Sequence, residues 1–280
     1  MTTAIDIDGV RMRYGATEVL YDVTFGVSAG ETVALLGPNG AGKTTTIEIL
    51  EGFRQRHAGR VEVLGTDPAR GGDAWRARVG IVLQSWRDHA KWRVRELLGH
   101  LAGYYPRPWP VDRLLTAVGL TEQAGQKIRT LSGGQRRRLD VAIGVVGRPD
   151  VLFLDEPTAG FDPVARHEFH DLLAGLETTV LLTTHDLAEA ERLADRIVIL
   201  DRGRVVADGT PAELAKEIVG ADEVRWRRGD QRFTRSTPDS TAFVRELFAT
   251  HGTEVAELEV HRASLEQTYL ALVQQAEVAR

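Results

Sequence analysis

The stretch GPNGAGKTT, Gly37–Thr45, constrains this chain more than any other part of it. It follows the apolar run VALL and precedes TTTIEILEGF, so it reads as a strand, a glycine-rich turn and a helix opening near Gly42. Gly37, Gly40 and Gly42 let the backbone turn its amides inward and approach a ligand closely. Converging amides and the positive end of a helix dipole form a cradle for polyphosphate, to which Pro38, Asn39 and Ala41 contribute backbone. Lys43 is placed to reach the β- and γ-phosphates of a nucleotide, the Thr44 hydroxyl to ligate Mg²⁺ and Thr45 to bond the α-phosphate.

The rest of the chain fits an α/β domain with a largely parallel sheet. Thr32–Leu36, Val79–Leu83, Val151–Leu154 and Val180–Thr184 read as buried strands, and 196–200 with 204–207 as a hairpin. Ile5–Arg13 and Val19–Val27 alternate polar and apolar residues, as half-exposed antiparallel strands do. Between Val94 and Leu120 the period turns helical on both sides of a proline break at Pro106–Pro110. Past Gly220 the character changes: 222–228 and 231–234 read as a hairpin, 240–250 as a helix, 254–262 as a strand and 264–274 as a last helix. A boundary near Gly220 therefore separates a domain at 1–220 from a small α+β appendage at 221–280.

Two further stretches carry chemistry. VLFLDEP, Val151–Pro157, is a buried strand that ends in two carboxylates. Beside a phosphate loop, Asp155 is placed to hold Mg²⁺ through water and Glu156 to polarise a water for attack on the γ-phosphate. LSGGQ, Leu131–Gln135, opens a helix that continues as RRRLDVAIG. Paired glycines are costly inside a helix, and at a helix start they leave amides bare for an anion.

GPNGAGKTT, LSGGQ and VLFLDEP in this order resemble the motifs of ATP-binding cassette (ABC) ATPases, over roughly the first 220 residues. The resemblance implies a P-loop NTPase core with a mixed sheet, an antiparallel β subdomain and a helical subdomain at about 86–147. It implies ATP and Mg²⁺ as cofactors and a head-to-tail dimer with a second ATPase subunit, most simply a second copy, holding two ATP molecules at its interface. There Ser132, Gly133, Gly134 and Gln135 meet the γ-phosphate bound by the other subunit. Tyr14 matches the aromatic that stacks on adenine, Gln84 the glutamine that contacts Mg²⁺ or water, and His185 the histidine that bonds the γ-phosphate. AGFDP, 159–163, matches the loop that crosses the dimer interface, with Ala159 and Phe161 where Ser and Leu are commoner. The tail EVAELEVHRASLEQTYLAL resembles ATPase subunits of ABC-2-type exporters, including daunorubicin-resistance-like drug exporters, through Leu265, Glu266, Tyr269 and Leu270.

These readings give an ATPase at the inner face of the cell membrane, cytoplasmic and peripheral, working on a separate integral-membrane permease. The apolar runs are far shorter than the ~20 residues needed to span a bilayer, and the start lacks a signal-peptide pattern. With no cysteine, disulfides and cysteine-ligated zinc are excluded. A net charge of −5 weighs against bulk binding to nucleic acid or anionic lipid. Arg136–Arg138 read as a solvated helix face or as partners of neighbouring acids. RWRRGDQRFTR, 225–235, reads as exposed arginines on a hairpin, so no nucleic-acid partner is expected. By the family resemblance, WRDHAKW, 86–92, lies where ABC ATPases receive their membrane partners, and is a candidate docking surface for the permease. The rival reading, a switch acting on ribosomes or DNA, is opposed by the single cassette and the absence of heptads.

Overall fold

The computed structural model describes residues 2–82, 89–158, 161, 163–176, 178–214, 222–229 and 231–261. The chain divides into two compact units, Met1–Asp208 and Gly209–Arg280. The boundary expected near Gly220 lies among residues 215–221, outside the described set, and the division into units falls before it.

The first unit is built on a six-stranded sheet in the order β5-β6-β7-β3-β8-β9. Its strands are β3 (Thr32–Leu36), β5 (Val79–Val82), β6 (Val151–Asp155), β7 (Thr179–Thr184), β8 (Arg196–Asp201) and β9 (Arg204–Gly209). Strands β5, β6, β7, β3 and β8 run parallel. A parallel sheet is covered on both faces, so its strands are continuous apolar runs. Val33, Ala34, Leu35 and Leu36 are fully buried, as are Val151, Leu152, Phe153 and Leu154. Each such large side chain contributes about 1.5–3 kcal/mol through burial.

Register then fixes the site. Leu36 on β3 pairs with Thr184 on β7, and Thr183 pairs with Asp155 on β6. Three neighbouring strands thus end on one edge, and their C-terminal ends deliver residues 37–45, the two carboxylates and His185 together. Ligands of open α/β sheets bind at such an edge.

A second sheet, β2-β1-β4, is antiparallel: β1 (Thr3–Tyr14), β2 (Thr17–Ser28) and β4 (Ala58–Val63). Strand β4 was not foreseen. Helix α1 (Lys43–Leu50) follows the glycine loop, and α2 (Asp73–Arg76) precedes β5. The helical stretch is α3 (Val94–Ala102), α4 (Val111–Ala117) and α5 (Gly133–Val145), within the expected 86–147. Helix α5 lies close on β5 through paired glycines: a Cβ on Gly80 would sit 2.4 Å from the Gly144 carbonyl, and one on Gly144 would sit 2.6 Å from Val82. Helices α6 (Pro163–Ala174) and α7 (Leu187–Leu193) complete this unit.

The second unit holds the three-stranded sheet β11-β10-β12, with β10 (Asp222–Arg228), β11 (Gln231–Thr237) and β12 (Val255–His261), and helix α8 (Ser240–His251). Its hairpin, helix and strand follow the sequence expectation. Trp226 stacks on Phe233 at 5.4 Å, and Phe243 of α8 closes on Trp226 at 5.5 Å. The expected last helix at 264–274, with Leu265, Glu266, Tyr269 and Leu270, lies outside the described residues.

Candidate active site

The glycine loop has the shape its sequence requires. Gly42, the N-cap of α1, is left-handed at φ +105, and Gly40 at φ +81. Gly37 has no room for a side chain, since a Cβ would lie 2.1 Å from the Leu200 carbonyl oxygen. Lys43 is only 6% exposed. Its Nζ donates to the carbonyls of Gly37 at 2.7 Å and Pro38 at 3.1 Å, which holds the loop closed around the ammonium. Burial lowers the Lys43 pKa, while the carboxylates of Glu156 and Asp155 oppose the fall by favouring the charge. The loop and the end of β6 therefore share one electrostatic site.

Thr183, fully buried on β7, organises both carboxylates. Its Oγ1 donates to Asp155 Oδ1 at 2.5 Å and accepts from the Glu156 amide at 3.0 Å. The Glu156 amide also donates to the Thr183 carbonyl at 3.2 Å. Glu156 itself is left-handed at φ +44, uncommon for a residue with a side chain. Its Oε1 lies 3.2 Å from His185 Nδ1, and the His185 side chain is 59% exposed. The structure thus brings Lys43, Asp155, Glu156 and His185 together.

Tyr14 is 42% exposed at the end of β1, and its hydroxyl lies 3.4 Å from Thr45 Oγ1. The Arg54 guanidinium lies over the Tyr14 ring at 4.7 Å, held by Glu48 at 2.6 Å. Tyr14 therefore stands beside the first turn of α1, with the Arg54 guanidinium on one face of its ring. Thr44 is exposed in that same turn. Thr44 and Asp155 offer oxygen donors only, a set that fits Mg²⁺, which takes few protein ligands and fills the rest with phosphate and water.

The signature opens α5. Ser132 is the N-cap, and Ser132 with Gln135 forms a reciprocal capping box: the Gln135 amide donates to Ser132 Oγ at 3.3 Å and the Ser132 amide to Gln135 Oε1 at 3.0 Å. Gly133 is exposed, and a Cβ there would meet nothing within 4 Å. Packing gives no reason for a glycine at this position. Among the described residues, no hydrogen bond joins Ser132–Gln135 to the loop 37–45 of the same chain.

One expectation is corrected within this helix. Arg136 and Arg138 do meet acids, Asp140 at 3.3 Å and Glu168 at 3.0 Å. Arg137 is instead 7% exposed. Its Nε donates to the Pro157 carbonyl at 2.7 Å and Nη2 to the Asp155 carbonyl at 3.2 Å. Thr183, Arg137 and Glu189 are site-supporting residues that sequence reasoning missed; buried Glu189 accepts from Thr158 Oγ1 at 2.7 Å, just past the DEP turn. Gln84, Trp86, Asp88, Ala159, Gly160 and Asp162 lie outside the described residues. Phe161 is half-buried and packs edge-on against Phe169 at 5.7 Å.

Fold and glycine loop together define a phosphate-loop, nucleotide-binding domain of the α/β class. A family model described as ABC transporter matches residues 20–159. The daunorubicin resistance ATP-binding protein DrrA3 of Streptomyces coeruleorubidus is 43% identical over 79% of this chain and 72% of its own length. Nod factor export ATP-binding protein I of Ralstonia nicotianae is 41% identical over 80% of this chain and 72% of its own. A solved ATP-binding subunit of an ABC transporter matches with a TM-score of 0.73 at 27% identity, covering 96% of this chain and 99% of that one. The chain belongs to the ABC transporter family as an ATP-binding subunit, and that family hydrolyses ATP coupled to transport.

Proposed function

We propose that this chain is the motor of an exporter: two copies close head to tail around two Mg·ATP and drive a separate membrane permease. The observation that carries this reading is the convergence of Lys43, Asp155, Glu156 and His185 where β3, β6 and β7 end. Loop 37–45 binds the phosphates, with Lys43 on the β- and γ-phosphates and Thr45 toward the α-phosphate, while Tyr14 stacks on adenine. Thr44 and Asp155, with Gln84, hold Mg²⁺, which when bound neutralises charge on the β- and γ-phosphates. Glu156 accepts a proton from the attacking water, and His185 stabilises charge on the γ-phosphate.

The bare start of α5 supports closure in trans. Ser132, Gly133, Gly134 and Gln135 present amides and helix dipole to the partner's γ-phosphate, completing a site that excludes water. Hydrolysis removes that contact and the dimer reopens. Export, rather than import, is supported by the names of the two relatives and by the tail from Glu254 onward. A separate permease is supported by the relatives' names, which are those of ATP-binding proteins. The ATPase then works peripherally at the inner face of the membrane. The domains of this motor are 1–220, which binds nucleotide, and 221–280, an appendage.

Glu156→Gln tests the assignment. It keeps the shape and removes the base, so turnover should disappear while an ATP-bound dimer accumulates on size-exclusion chromatography. Near wild-type hydrolysis by this variant would falsify the role given to Glu156.

A further inference from the structure

Glu156 keeps a left-handed backbone, φ +44. Residues with side chains hold such a conformation only where their surroundings enforce it. Two elements do so. From β7, the carbonyl and hydroxyl of Thr183 both accept from the Glu156 amide. From α5, the Arg137 guanidinium grips the chain on either side of Glu156, through the carbonyls of Asp155 and Pro157. A guanidinium is always charged and presents its donors in a rigid fork, so these are strong, directional bonds in a buried setting.

Arg137 also sits one helical turn from Gly133, on a helix whose start is pinned by the Ser132–Gln135 capping box. We infer that Arg137 is a positioning residue: it sets the backbone turn that aims the Glu156 carboxylate and ties that aim to the signature start of the same chain. The inference rests on the reading of Glu156 as the group that polarises water. In a closed dimer, the helix start that meets the partner's γ-phosphate would carry, one turn further on, the clamp on its own hydrolytic turn. Closure over one ATP is then felt at the other.

The test compares full-length Arg137→Met and Arg137→Lys, each alone and combined with Glu156→Gln. Steady-state and single-turnover hydrolysis of Mg·ATP are measured, with affinity read from a fluorescent ATP analogue. Arg137→Met is expected to lower kcat at least fivefold with affinity changed less than threefold, and Arg137→Lys to recover part of the rate. Steady-state turnover being lost in Glu156→Gln, the slow single-turnover hydrolysis that remains there should change less than twofold on adding Arg137→Met, because the group it positions is already gone. A loss under fivefold in Arg137→Met overturns the inference. So does an equal loss in both backgrounds, or a fall in affinity that matches the fall in kcat, since either marks a general structural role. If Arg137→Met does not fold, Arg137→Lys and Arg137→Gln carry the same comparison. Wild-type turnover by Glu156→Gln alone would instead remove the assignment of Glu156, a result distinct from failure of Arg137.

Discussion

Gly133 offers a substitution in which stability and activity should move in opposite directions. It is the first residue of α5, exposed, with nothing within 4 Å of where its Cβ would stand. Its φ lies outside the left-handed range that strains a side chain. Gly133→Ala should therefore gain about 0.4–1 kcal/mol by restricting the unfolded chain. For a chain of this size that is a rise in Tm of about 1–4 °C. If the amides here meet a phosphate in trans, the added methyl obstructs that approach. Hydrogen bonds to charged groups are worth about 1.5–3 kcal/mol, so turnover should fall roughly 10- to 150-fold, and further for Gly133→Leu. Thermal melts of the nucleotide-free protein and steady-state ATPase assays measure the two effects separately. Wild-type turnover by Gly133→Leu would refute the reasoning. A Tm that drops in step with activity would also refute it, by showing that the glycine serves the fold.

Tyr14→Ala should raise KM for ATP and leave kcat nearly unchanged, since stacking binds ground and transition states alike. A stacked base is worth about 1–3 kcal/mol, and for a ring this exposed the lower half of that range corresponds to roughly a 5- to 30-fold change in KM; a loss confined to kcat would contradict the role. Glu51, 6% exposed at the C-cap of α1, has its carboxyl pushed up to about 8 by burial, with Asp155 and Glu48 adding to the rise. Its folded pKa exceeds the ordinary 4.5, so its contribution to stability is full below about 4.5 and is lost as pH rises through about 8. Glu51→Gln should thus stabilise the fold at about pH 8.5, by on the order of a few kcal/mol and seen as a higher Tm, and leave Tm nearly unchanged at about pH 4.5. Equal shifts at both pH values would contradict the cause given.

The parts of the fold that were legible were those in which burial and sequence pattern coincide. β3, β6, β7 and β8 lie inside a sheet covered on both faces, so each is an apolar run bounded by polar residues. The candidate site residues were nameable because loop 37–45, the signature 131–135 and the carboxylates 155–156 are each an unbroken stretch, and parallel register gathers the ends of β3, β6 and β7. Strand β4, AGRVEV, was not legible: three of its residues are exposed, it begins with Ala-Gly, and its pairing with β1 is long-range. Arg137 stands between two arginines of the same type, so composition hides it. Its spacing did carry a signal, for Arg137, Val141 and Val145 fall at i, i+4 and i+8 and all are buried. Thr183 stands near the end of a fully buried strand, TVLLTT, where a buried hydroxyl needs a partner and finds two.

The central claim is that this chain drives a separate membrane protein. A tagged copy should be recovered from gently solubilised membranes of the native cell, with its partners identified and quantified by mass spectrometry. The account predicts a polytopic membrane protein copurifying in fixed proportion. Recovery of the chain without any membrane partner, or with ribosomes instead, would contradict it.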